Sequence, residues 1–126
     1  MAQRVIHLVL IVSTDLEQLE RRHRLVRGAG YYVMPARAVD HALALARKAR
    51  PSVVIADADL GDKRALALLH ALRELEPLQG ALVILLGVLT AEERAYVAAD
   101  PHAQVHHDGA DDEAALVALL RDVLAA

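Results

Sequence analysis

Three stretches of this 126-residue chain gather side chains able to do chemistry. The first is Val53-Val54-Ile55-Ala56-Asp57, an apolar run that ends on a carboxylate, with Asp59 two residues on. A carboxylate so placed is either positioned for chemistry or is the polar residue that closes a strand. The second is Ser13-Thr14-Asp15, directly after the apolar run Val5 to Val12. Hydroxyls there suit a flavin phosphate, but no glycine-rich turn or aromatic pair is present to hold an isoalloxazine ring. The third is "HAQVHHD", residues 102–108. In an extended segment His106 and His107 face opposite ways and His102 precedes them, so the cluster does not converge on a zinc ion.

The elements that must position these groups alternate along the chain. "VIHLVLIV" (5–12) reads as a buried strand, as do "YYVM" (31–34), "SVVIAD" (52–57) and "ALVILL" (81–86), with "AQVHH" (103–107) a weaker fifth. Between them lie helical patterns. Leu16, Leu19, His23 and Val26 share one face of the first helix, and Thr14 with Glu17 forms a capping box at its start. Arg21-Arg22-His23-Arg24 reads as a solvated basic run, with His23 half-buried in the apolar stripe. The second helix covers Val39 to Arg50 and is halted by Pro51; the third runs from Ala65 to Leu75. A second capping box, Thr90 with Glu93, opens the fourth, and Ala114 to Leu124 forms the fifth.

Five βα units with short connections predict one α/β domain over residues 1–126, a doubly wound parallel sheet with helices on both faces. Ligands of such sheets bind beyond the carboxyl ends of the strands. Asp57, the Ser13-Thr14-Asp15 segment, Gly87 and the His106-His107-Asp108 segment are all expected there. A net charge of −3 offers no basic face for nucleic acid, and the run at 5–12 is too short to span a bilayer. The chain has no cysteine, which removes disulfides and thiolate metal sites and fits a cytoplasmic protein.

The segment "GAGYYVMPARAVDHALALARKARPSVVIADADL" resembles the receiver domains of two-component response regulators, which are CheY-like, or flavodoxin-like, in fold. The resemblance covers essentially the whole chain and implies the strand order 2-1-3-4-5. It places Asp57 at the position that accepts a phosphoryl group in that family. The family's acidic pair after the first strand falls on Ser13 and Thr14, its switch Ser or Thr on Gly87, and its lysine on His107. Only Asp57 of the chemical positions is retained. Asp15 and Asp59 stand near the lost ligands and could rebuild a metal site with Asp57, although first-turn helix charge and loop are the simpler roles. A protonated His107 could stand in for the lysine near pH ~6–7.

The expectation is therefore a pseudo-receiver in signal transduction, a protein-interaction module and not an enzyme, with weak or no phosphorylation and no cofactor. The alternative is a working receiver phosphorylated on Asp57 by a histidine kinase with Mg²⁺. The resemblance implies a partner or homodimer contact through the face of helix 4, strand 5 and helix 5, where Tyr96 is the candidate anchor. No nucleic acid or membrane contact is expected.

Overall fold

The computed structural model describes residues 7–61, 63–106 and 113–124. Strand β1 (Leu8–Val12) is LVLIV and is buried along four of its five residues, because helices cover both sides of it. Helix α1 (Leu16–Gly28) leads to β2 (Tyr32–Ala36), and α2 (Val39–Ala49) leads to β3 (Val53–Asp57). A two-residue ribbon, Asp59–Leu60 against Lys63–Arg64, precedes α3 (Ala65–Arg73). Then come a 3₁₀ turn (Glu76–Leu78), β4 (Leu82–Leu86), α4 (Ala91–Ala98), β5 (Ala103–His106) and α5 (Glu113–Leu124).

The five strands pair in parallel in the order β2-β1-β3-β4-β5, as expected for the doubly wound class. Period-2 alternation sends Leu10 and Val12 to one face of the sheet and Val9 and Ile11 to the other. The first face packs on α2, α3 and α4 through residues such as Ala42, Leu68, Leu72 and Val97. The second packs on α1 and α5 through Leu19, Val26, Leu116 and Leu120. The order reverses at β1 and β3, so the crevice at their carboxyl ends collects Ser13 from one strand end and Asp57 from the other.

Several boundaries differ from the sequence expectation. Asp15, not Thr14, caps α1: its Oδ1 accepts the N–H groups of Glu17 at 3.0 Å and Gln18 at 3.2 Å. Both residue types cap well, and Asp15 with Gln18 satisfies the same i, i+3 pattern as Thr14 with Glu17. Strand β2 begins at Tyr32 and extends through Pro35, which the outermost strand of a sheet tolerates. The predicted Thr90–Glu93 box is present in both directions. Among the described residues, no helix is long and apolar enough to cross a membrane.

Candidate functional site

Asp57 lies at the carboxyl end of β3 with its side chain about one-fifth exposed, 21%. Ser13, fully buried, donates its hydroxyl to Asp57 Oδ2 at 2.5 Å and accepts the Asp15 N–H at 3.2 Å. The other carboxylate oxygen, Oδ1, accepts from Arg22 Nη1 at 2.7 Å. Arg22 belongs to α1, and its side chain is only 4% exposed.

That pair corrects two expectations. The buried stripe of α1 is Leu19, Arg22 and Val26, at steps of three and four. Arg22 therefore faces the sheet and is no part of a solvated basic run. Leu16, placed in the stripe by sequence, is 48% exposed, and His23 is half-buried at its margin. A long aliphatic stem lets an arginine lie in an apolar stripe while its head reaches a carboxylate. The legible signal was an arginine three residues after Leu19 and four before Val26.

A buried guanidinium is tolerated only when paired. At ~4 Å and an effective permittivity near 20, two unit charges attract by about 4 kcal/mol before desolvation is counted. Desolvation of Arg22 takes back much of that gain, so the pair adds little net stability, whereas removing one member leaves the other stranded. Among the described residues the buried Arg22 Nε finds no hydrogen-bond partner, so the head group is held through Nη1 on Asp57.

The remaining candidates do not converge on Asp57. Thr14 is exposed, and its methyl faces Gly61 across the loop after β3. Asp15 is committed to the α1 cap, and Asp59 Oδ1 accepts the Gly61 N–H at 3.0 Å. Among the described residues no group of three His, Asp or Glu side chains is arranged to hold a metal. Mg²⁺ requires near-octahedral oxygen ligands, commonly including one or two carboxylates. Here one carboxylate remains, with a cation on one oxygen and a hydroxyl donor on the other. The donor set does not fit Mg²⁺.

Gly87 follows β4 with φ +118°, and a Cβ added there would meet the Ala58 Cβ at 3.6 Å. The backbone itself therefore disfavours any side chain at this position, since this φ belongs to glycine. His107 and Asp108 lie outside the described residues. His102 lies in the turn before β5, where its N–H bonds Asp100 Oδ1 at 2.9 Å.

Two further ion pairs link neighbouring segments, one from the ribbon before α3 to α4 and the other from the end of α3 to the turn after α4. Arg64 donates from Nε and Nη2 to the two carboxylate oxygens of Glu93, at 3.0 and 2.9 Å, and from Nη2 to the Val88 carbonyl at 3.0 Å. The Arg64 hydrogen bonds, followed by the Thr90 N–H, lower the Glu93 carboxyl from 4.5 to about 2. At the other end Arg73 Nε donates to Asp100 Oδ2 at 2.7 Å. Burial works to raise Asp100, but the bonds from Arg73 and the His102 N–H prevail and lower it. Between them, Tyr96, 40% exposed, sets its hydroxyl 3.0 Å from His70 Nδ1.

No protein-family model matches the chain, and no curated relative does. Solved structures do. The chemotaxis response regulator CheY4 of Vibrio cholerae is 23% identical with a TM-score of 0.84, over 95% of this chain and 100% of that one. A CheY-like response regulator receiver domain protein from Methanospirillum hungatei is 21% identical with a TM-score of 0.83, over 96% and 95%. The receiver domain of a signal transduction histidine kinase from Syntrophus aciditrophicus is 20% identical with a TM-score of 0.81, over 94% and 90%. The fold is that of CheY-like receiver domains.

Proposed function

We propose that residues 1–126 form an atypical receiver, a pseudo-receiver, of a two-component-type signalling protein. It acts as a regulatory interaction module in the cytoplasm, with weak or no phosphorylation at Asp57 and no cofactor of its own. The observation that carries this reading is the Asp57 carboxylate, bonded on one oxygen by Arg22 and on the other by Ser13. Phosphoryl transfer depends on positioned positive charge and a metal at the acceptor. Among the described residues, the only cation on Asp57 is the one already bonded to it, Arg22; neutral Ser13 and Thr14 supply no acidic pair for a metal, and Gly87 supplies no hydroxyl.

Surface then takes over the role of chemistry. The face of α4, β5 and α5 docks a protein partner or a second copy, with Tyr96 as the partly exposed aromatic anchor. It contacts neither nucleic acid nor membrane.

Amide spectra of the domain with beryllofluoride and Mg²⁺ test the reading. The expected result is unchanged signals at Ser13, Ala58 and Gly87. A receiver phosphorylated on Asp57 by a histidine kinase would shift all three, and that result would replace the proposal with the phosphorylated alternative. For the docking face, Tyr96→Ala is expected to keep the far-ultraviolet spectrum of the parent and to weaken self-association or partner capture.

A further inference from the structure

Arg22 has no counterpart in the chemistry that a strand-ending aspartate would need by itself. It comes from α1, it is nearly fully buried, and its Nη1 lies 2.7 Å from Asp57 Oδ1. Helix positions flanked by Leu19 and Val26 normally take apolar side chains, so a guanidinium there must be answered by a carboxylate. Asp57 is that carboxylate.

The same geometry bears on cations from solution. A divalent ion on Asp57 would have to share the carboxylate with a fixed positive group, in a partly desolvated crevice where like charges repel strongly. The other oxygen is held by a hydroxyl that is donating, with its proton directed at Asp57. Asp15 and Asp59 are turned to backbone amides and offer no compensation.

We infer that Arg22 is the built-in cation of this site. It occupies the positive position beside Asp57, excludes divalent metal from it, and makes Asp57 the counter-ion that fastens α1 to the carboxyl edge of the sheet. This deepens the functional reading by naming the group that closes the site.

Manganese(II) titration followed by paramagnetic broadening of amide signals tests it, on the parent, Arg22→Gln and the Arg22→Gln/Asp57→Asn double variant. The parent is expected to show no selective broadening at Ser13 and Ala58. Arg22→Gln is expected to broaden both, with an affinity gain of about tenfold or more for removal of one adjacent charge. The double variant is expected to lose that gain. Equal behaviour of parent and Arg22→Gln, or broadening that survives Asp57→Asn, overturns the inference. Asp57→Asn alone supplies a readout if Arg22→Gln does not fold: its urea midpoint should fall, and an unchanged or higher midpoint overturns the inference. Beryllofluoride uptake by the parent would instead remove the functional reading itself, whereas an Arg22→Gln protein that stays metal-free leaves that reading standing.

Discussion

Asp57 is bound to its surroundings through charge, and its replacement measures how firmly. Asp57→Asn keeps the shape and an acceptor oxygen but leaves the Arg22 cation without a counter-charge. Removing one member of a buried pair costs about 3–5 kcal/mol; with Asp57 one-fifth exposed, a loss of about 2–3 kcal/mol is expected from urea unfolding. An acid retained for reactivity at the expense of stability would show the opposite sign. Gly87 gives a second test. Introducing Thr there supplies a hydroxyl but forces a β-branched residue to φ +118°, so Gly87→Thr should cost about 1–3 kcal/mol and restore no response to beryllofluoride. Equal stability of Gly87→Thr and parent would show that the loop relaxes freely. Asp57 was legible because an apolar run of strand length ends on it. The place of Arg22 in the apolar stripe was legible from its spacing, but its pairing was not, because Asp57 lies 35 residues away and only the folded sheet brings the two together. Ser13 was legible as a hydroxyl at the end of the first strand, but its bond to Oδ2 required the β1–β3 register.

Helix α4 shows how local and distant signals combine in one element. Thr90 and Glu93 announce its start within four residues of sequence, and the box forms as expected: the Thr90 N–H reaches Glu93 Oε1 at 2.8 Å and the Glu93 N–H reaches Thr90 Oγ1 at 3.1 Å. Thr90→Ala should therefore cost about 1 kcal/mol. The α1 cap was misplaced by one residue because Thr14 and Asp15 offer equivalent chemistry, and only backbone geometry selects Asp15. What local pattern could not show is that Glu93 also receives Arg64 from the ribbon before α3. The consequence is a pH dependence of definite sign. The folded Glu93 carboxyl is lowered, so its contribution is fully present above about 4.5 and is lost as pH falls towards about 2. Glu93→Gln should lower stability at neutral pH and flatten the acid limb of the stability curve over that interval. Asp100, lowered by Arg73 and the His102 N–H against its burial, keeps part of the slope. An acid limb as steep in Glu93→Gln as in the parent would show that the Arg64 pair contributes nothing in solution.

The molecule as a whole rests on one sheet that serves two apolar layers, and its cooperativity follows from that sharing. Strand residues alternate between the layers, so Val54 and Ile55 of β3 belong to different clusters while sharing the same ladder of backbone bonds. Neither layer can open without exposing one side of strands that are apolar on both. The doubly wound class was readable from sequence for the same reason: strands covered on two faces become continuous apolar runs. The two weaker strands, β2 and β5, lie at the sheet's edges, where one neighbour is missing and the pattern is diluted. Leu72 and Leu120 are fully buried in opposite layers, so Leu72→Ala and Leu120→Ala should each cost about 2–5 kcal/mol. Both should lower the whole transition together. Tyrosine fluorescence makes this checkable, because Tyr31 packs with the α1–α5 layer while Tyr96 sits on α4 beyond the other, and the chain has no tryptophan to mask them. For either variant, fluorescence and far-ultraviolet circular dichroism should trace one urea transition with a common midpoint. Separate midpoints would mean that the layers open independently. The Arg22–Asp57 pair, which ties an α1–α5 side chain to the end of the central strand, would then stabilise one layer and leave the other unaffected.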